Sequence, residues 1–389
     1  MTRPVAWGSV PDQLPVRPEV AASQPYGAPH RAGVVRLNVN ENPYPPTRAV
    51  QVALTNALAR AVCDLNRYPD RDAMALRQGL ADYLGSESNA PFLTPAHLWA
   101  ANGSNEVMLH LYQAFAGPGR AAVTFAPTYS MYPEYARATF TRHLTAPRAP
   151  DFSLDLPAAL AMIEREAPSV IVLANPNNPT GTMTDLADVE TLARALWDDQ
   201  GQRARGILVV DEAYAEFRDP GLPSAISLVP RHPHVAVTRT MSKAFAFAGA
   251  RVGYLAGSPN LVEALRTVRL PYHLSTLTQA AALAALGCAK DLMAQVSEIR
   301  ATRETMARRL SAIVRPGVGR GLEVVSSQAN FLLFGRFEDR HAVWEALLER
   351  GVLIREVGPE GWLRVSVGTP KESERFLGCL EAALDAGMG

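Results

Sequence analysis

Lysine is scarce in this chain of 389 residues: Lys243, Lys290 and Lys371 stand among 38 positive residues, and the rest are arginine. Lys243 sits in RTMSKAFAFAG, residues 239–249, directly after the apolar run HVAVT at 234–238. A lysine in apolar surroundings loses hydration, and its pKa falls toward neutrality. The neutral amine attacks carbonyls and forms Schiff bases, chemistry closed to a permanently protonated arginine. The plainer alternative is a surface lysine with a buried stem and a wet head, as Lys371 in TPKESE reads.

Other chemistry-bearing residues stand at the ends of apolar runs. WAA at 99–101 leads into NGSNE, where Gly103 permits a tight turn and the helix beyond it points free N–H groups backward. Such a turn binds anions, phosphate above all; Ser104 or Asn105 could equally just cap the helix. AAVTF at 121–125 leads into APTYSMY with Tyr129, and SVIVLA at 169–174 into NPNNPTG with Asn178. GILVV at 206–210 runs into DEAYAEF, so Asp211 emerges from a buried strand followed by Glu212 and Tyr214. That carboxylate could cap a turn or pair with a buried cationic nitrogen. Arg251, eight residues after Lys243, could be a surface charge or return to the anion site. An aldehyde for the lysine, a ring nitrogen for the aspartate, an aromatic face for a tyrosine and a phosphate for the helix end and Arg251 together describe pyridoxal phosphate.

The elements that must position these residues follow from periodicity. The apolar runs are continuous rather than alternating, the signature of strands buried on both faces in a parallel sheet covered by helices. Ligands of such sheets bind beyond the carboxyl ends of the strands, where these residues stand. Helical patterns cover 47–62, 72–84 and 105–117. The C-terminal third changes character, with one long helical stretch near 279–313, a strand at 329–334, and helices near 340–350 and 371–387. Three parts are expected: an extended, proline-rich arm at 1–46 lying on its own body or on a partner subunit, a large α/β domain at 47–275, and a smaller α+β domain at 276–389. A length prior of roughly 150 residues per domain agrees with two or three units.

Composition narrows the function further. Formal net charge is zero without blocks of like charge, which argues against nucleic acid or an anionic membrane as partner. No apolar run approaches the ~20 residues of a membrane span, and the N-terminus lacks a signal-peptide core. Cys63, Cys288 and Cys379 are odd in number and far apart, so they suggest packing residues rather than disulfides or metal ligands. A soluble, cytoplasmic protein without a metal site is the expectation.

ANPNNPTG, DEAY and SKAFAFAGARVGY resemble the class I/II, fold-type I, pyridoxal-phosphate-dependent aminotransferases, a likeness running from LNVNENPYPP at 37–46 to WLRVSVGT at 362–369. PYGAP at 25–29, NENP, NRYPD at 66–70, GSNE, PTYSMY and LPYHLS at 270–275 are similar to the histidinol-phosphate branch of that family, though the aromatic-amino-acid branch shares several of them. The resemblance implies that Lys243 carries the cofactor and that Asp211 keeps its pyridine nitrogen protonated. It gives the ring oxygen to Tyr214 and Asn178, the ring face to Tyr129, and the phosphate to Ser104, Asn105, Thr240, Ser242 and Arg251. Tyr68 in NRYPD would reach that phosphate from the neighbouring subunit of a homodimer. Arg364 would bind the substrate carboxylate, and Arg355 and Tyr26 the substrate's own phosphate, with Asn330 a weaker candidate. The implied reaction converts L-histidinol phosphate and 2-oxoglutarate to imidazole acetol phosphate and L-glutamate, with an aromatic-amino-acid aminotransferase as the alternative. Asn105 and Ala246 depart from the family pattern, where Asp and Gly are common.

Other scaffolds and activities are weighed against this one. A decarboxylase on the same scaffold would share every cofactor residue and release carbon dioxide instead of making glutamate. A nicotinamide-dependent dehydrogenase would need G-x-G-x-x-G between strand and helix, and GVGRG at 317–321 has the wrong spacing. A non-catalytic protein of this fold could dispense with the lysine and usually carries a DNA-binding appendage.

Overall fold

The computed structural model describes residues 14–17, 21, 27, 29–314 and 321–387. Its central sheet has seven strands: β1 Leu98–Ala101, β2 Ala121–Ala126, β3 Arg142–Pro147, β4 Val170–Ala174, β5 Ile207–Asp211, β6 Val235–Thr240 and β7 Gly253–Gly257. Their order is β1-β7-β6-β5-β4-β2-β3. β7 runs antiparallel to both neighbours and every other pairing is parallel. The continuous apolar runs have the expected consequence: successive residues of one strand feed opposite cores. Val170 and Val172 pack on one face of the sheet, Ile171 and Leu173 on the other.

Register lines up the carboxyl ends. Ala174 pairs with Asp211 and Asp211 with Thr238, while Gly253 pairs with both Thr240 and Ala101. The segments after β1, β4, β5 and β6 therefore leave the sheet at one edge. Helices start cleanly around this frame. Thr47, Asp155, Ser258, Ser275 and Asp339 each accept a backbone N–H of the first turn, and Thr369 forms a capping box with Glu372.

A smaller antiparallel sheet, β8 Glu323–Val324, β9 Phe331–Gly335 and β10 Trp362–Ser366, is built from the C-terminal third. The arm settles on the chain's own body over its described part: Val35–Arg36 pairs in parallel with Val352–Leu353. Three expectations change. The long helical stretch near 279–313 is two helices, Thr276–Gly287 and Ala289–Ala312, which meet at Cys288 (φ −108°, ψ 16°). β3 and β7 are strands that periodicity did not single out. Cys379 is buried as a packing residue should be, but Cys63 is exposed at a helix end.

A buried charge network ties the central strands to the helix Met74–Glu87. Arg239 of β6 is fully buried and pairs with Glu212 at 2.8 Å, Glu87 at 2.7 Å and Glu216 at 3.4 Å. Although burial opposes it, the charges of Arg239 and Arg218 hold Glu87 below the usual carboxylate range. Burial pushes Glu216 up to about 7. Removing the central cation would leave buried carboxylates uncompensated, so Arg239→Met should cost about 3–5 kcal/mol in urea unfolding of the apoprotein. A loss below ~1 kcal/mol would show that the cluster is not held by this charge.

Candidate active site

The row of strand ends opens into a cavity of about 400 Å³ lined by Lys243, Asp211, Asn178, Tyr214, Tyr129, Ser104, Asn105, Thr240, Ser242, Arg251, Arg355 and Arg364. Twelve of the residues singled out in the sequence, drawn from seven separate stretches, thus line one cavity. Val39 to Glu41 of the arm complete it.

Asp211 ends β5 and is only 7% exposed. Burial pushes its pKa up, and hydrogen bonds from the Tyr132 hydroxyl (2.8 Å) and the Thr238 hydroxyl (3.1 Å) oppose that rise. It makes no ion pair among the described residues. A buried carboxylate facing a cavity without a cationic side chain beside it is suited to a ligand that brings its own protonated nitrogen, and a pyridinium ring does so.

Lys243 is half-buried and donates to the Val39 carbonyl at 2.9 Å. Burial first, and then the positive charge of Arg364, lower its pKa to about 8; Glu41 acts in the opposite sense. Its amine is therefore accessible in the neutral, nucleophilic form near physiological pH.

One end of the cavity is shaped by two glycines. Gly103 (φ 81°) turns the chain into the helix Ser104–Phe115, and a Cβ there would lie 2.6 Å from an Arg251 nitrogen. A Cβ on Gly253 would lie 2.1 Å from the Ser104 nitrogen, so only glycine lets β7 approach the helix start. Asn102 holds this turn: its backbone N–H and side-chain amide both donate to Glu106 (2.7 and 2.8 Å). Arg251 donates to Ser242 Oγ at 3.3 Å, and the Thr240 hydroxyl to the same oxygen at 2.9 Å. The Asn105 side chain is engaged instead by the Tyr135 hydroxyl at 2.8 Å, which leaves its backbone N–H, in the first helical turn, as the group able to meet an anion. Ala246, where glycine is common in the resembling family, adopts φ 52°, a conformation that glycine takes without strain.

On the opposite wall Asn178 accepts from Arg364 at 2.5 Å, and Arg364 also donates to the Asn38 carbonyl at 2.8 Å. Arg355 stands beside Arg364 through a reciprocal pair of backbone hydrogen bonds (3.0 and 2.9 Å). Tyr129 meets Tyr132 edge-on, with ring centroids 5.5 Å apart.

Two candidates are elsewhere, and a third is not among the described residues. Asn330 is fully buried and does not line the cavity; its amide donates to the Asn40 and Glu41 carbonyls and fastens the arm from beneath. Tyr68 is 79% exposed and stacks on Tyr272 at 4.5 Å, outside its own chain's cavity. Tyr26 lies outside the described residues. Sequence reasoning missed Tyr132, Thr238 and Asn40. Tyr132 was within PTYSMY, but nothing in its spacing showed that it would meet a carboxylate 79 residues away.

Comparison with known proteins agrees with this geometry. A family model described as aminotransferase class I and II matches residues 32–380. The histidinol-phosphate aminotransferase of Thermobifida fusca is 53% identical over 365 residues, 94% of each chain, and that of Bifidobacterium longum is 50% identical over 381 residues, covering 97% of this chain and 98% of its own. The crystal structure of histidinol-phosphate aminotransferase from Sinorhizobium meliloti in complex with pyridoxal-5'-phosphate superposes with a TM-score of 0.78 at 26% identity, covering 90% of this chain and 91% of that one. With a mostly parallel α/β sheet, an amine and a carboxylate placed for pyridoxal phosphate, and a family match over nearly its full length, the chain belongs to the class I and II aminotransferases, enzymes that depend on that cofactor.

Proposed function

We propose that this enzyme transfers an amino group between L-histidinol phosphate and 2-oxoglutarate, giving imidazole acetol phosphate and L-glutamate in histidine biosynthesis. The observation that carries the reading is a pair of guanidinium groups, Arg355 and Arg364, lining the same cavity as Lys243. A guanidinium binds phosphate or carboxylate bidentately. Two of them suit a donor that bears a phosphate and no carboxylate, alternating with an acceptor that bears carboxylates. Relatives about half identical over almost the whole chain carry the name of this activity.

Pyridoxal phosphate, when bound, supplies an aldehyde that takes the amino group and a ring that accepts the electron pair left on the substrate Cα. Ser104, Asn105, Thr240, Ser242 and Arg251 would hold its phosphate, Tyr129 its ring face, and Tyr214 and Asn178 its ring oxygen. Asp211 would keep a proton on the ring nitrogen. Lys243 Nζ, neutral once free, takes the proton from the substrate Cα. Arg364 binds the carboxylate of glutamate or 2-oxoglutarate, and Arg355, joined by Tyr26, the phosphate of histidinol phosphate. Asn330 serves the substrate side by holding the arm rather than by contact. Tyr68 completes the phosphate site of a neighbouring subunit in a homodimer, a role supported by its exposure beside the exposed Leu270 and Tyr272. The working unit then has an arm to residue 46, a cofactor-carrying part at 47–275 and a smaller part at 276–389, the last supported by its separate three-stranded sheet. Among the described residues no helix is long and apolar enough to cross a membrane, in keeping with a cytoplasmic enzyme of small metabolites.

Titrating the holoenzyme without acceptor tests the substrate. The visible spectrum should convert to that of the aminated cofactor at far lower L-histidinol phosphate than L-phenylalanine, and equal conversion would move the protein to the aromatic branch. Arg355→Ala should raise KM for histidinol phosphate about 10- to 100-fold, the range of a lost charge-assisted hydrogen bond, while changing phenylalanine turnover little.

Lys243→Ala and Lys243→Arg should each lower kcat by at least about 10⁴-fold; multiple turnover at the parent rate in either would sink the assignment. With Lys243 lowered to about 8, the amine is mostly protonated below that pH and mostly free above it. Covalent capture of cofactor by the apoprotein should rise about tenfold per pH unit below 8 and level off above it. Arg364→Leu removes a positive neighbour and should move that midpoint upward, read from the rate of the visible absorbance change.

A further inference from the structure

Asn40 belongs to the arm, yet it is 1% exposed and its hydrogen bonds form a directed chain. Its backbone N–H donates to Ser366 Oγ at 2.9 Å. Ser366, having accepted there, donates its hydroxyl proton to Asn40 Oδ1 at 3.0 Å. That fixes the amide orientation and turns Nδ2 toward Tyr214, whose hydroxyl oxygen it meets at 3.0 Å. The backbone is committed as well: Asn40 has φ 55°, a left-handed conformation in which Asn and Asp are the most tolerated side-chain-bearing residues. Its carbonyl receives the Asn330 amide at 3.0 Å.

We propose that Asn40 is a positioning residue for the transamination. Through the Tyr214 hydroxyl it couples the arm and strand β10, which also carries Arg364, to the ring of the cofactor. The proposal rests on the cofactor reading above. Donation by Asn40 into the phenol oxygen polarises the phenol O–H and makes Tyr214 a stronger donor to the ring oxygen. It also lets an event at Arg364, on the same strand as Ser366, reach the cofactor through two short contacts. Glu41, Asp211, Lys243, Arg251, Arg355 and Arg364 are the charged groups lining the cavity, and the Lys243 amine stands 6.0 Å from the Tyr214 ring centre. None of them takes part in the Asn40–Ser366 pair.

The test compares the holoenzyme with Asn40→Asp, nearly isosteric, tolerant of the same backbone and an acceptor where Asn40 donates. Two quantities are read: the dissociation constant of pyridoxal phosphate and the pH midpoint at which the bound cofactor changes its visible absorption. A parent enzyme that fails to bind cofactor refutes the reading beneath the proposal, whereas a parent that binds normally isolates the Asn40 question. The expected result is a dissociation constant raised about 5- to 20-fold, the loss of one hydrogen bond next to a charged ligand, and an upward midpoint shift, since the ring oxygen loses a strong donor. In a Tyr214→Phe background Asn40→Asp should add no further midpoint shift, because the path runs through the hydroxyl. A dissociation constant and midpoint within twofold and 0.1 unit (roughly the resolution of such titrations) of the parent would overturn the proposal. So would an equal shift with and without the Tyr214 hydroxyl. If Asn40→Asp does not fold, Asn40→Gly, which keeps the left-handed backbone without an amide, and Ser366→Ala take its place with the same two outcomes.

Discussion

A carboxylate buried at the end of a central strand is the constraint around which this site is arranged. Asp211 is desolvated, and desolvation favours its neutral form. Two hydroxyl donors, Tyr132 and Thr238, offset part of that cost without bringing a charge. What remains is a site with a standing preference for a cation, placed at the carboxyl edge of a parallel sheet, and a protonated ring nitrogen would satisfy it. The register from Ala174 to Asp211 to Thr238 then determines which loops can face such a ring.

The adjacent carboxylate, Glu212, shows how the same segment keeps two negative charges apart. Side chains of a strand alternate between faces. Asp211 turns toward the cavity, and Glu212 turns to the other side, where Arg239, Ser224 and the Ala225 N–H bind it. Thr238 and Arg239 divide in the same way on the neighbouring strand. Among the described residues the carboxylate that faces the cavity makes no ion pair, while the other is bound by Arg239, Arg218 and Ser224. Lys243 shifts in the opposite direction: burial above all, and then the charges of Arg364 and Arg251, favour the neutral amine, with Glu41 as a partial counterweight.

The arm is part of this electrostatic and hydrogen-bonded system. Residues 38–41 are gripped by Arg364 at the Asn38 carbonyl, by Lys243 at the Val39 carbonyl, and by Asn330 and Ser366 at Asn40. Two groups that line the cavity, Arg364 and Lys243, and two outside it, Asn330 and Ser366, thus hold one short segment. A stretch of that kind has no helical or strand period to advertise it, and its value to the site is that its backbone carbonyls and one amide are available.

What the chain determined on its own was the chemistry and the frame. Short continuous apolar runs bounded by Gly, Pro and polar turns suit strands buried on both faces, so a parallel sheet with polar residues at its ends was legible in the pattern. A lysine retained where arginine serves elsewhere marked the amine, and Gly103 before an apolar helix marked the anion turn. Contacts between distant segments could not be read this way. Asn40 and Ser366 are 326 residues apart, and only their burial side by side makes them a pair. The antiparallel place of β7, the split at Cys288 and the removal of Asn330 from the cavity to the underside of the arm all depend on which elements become neighbours. Pairwise packing decides that, and local periodicity carries no information about it. Tyr68 is the limiting case: the motif NRYPD marked it for a site, yet its own chain gives it only an exposed stack on Tyr272, and spacing along one chain carries no information about that.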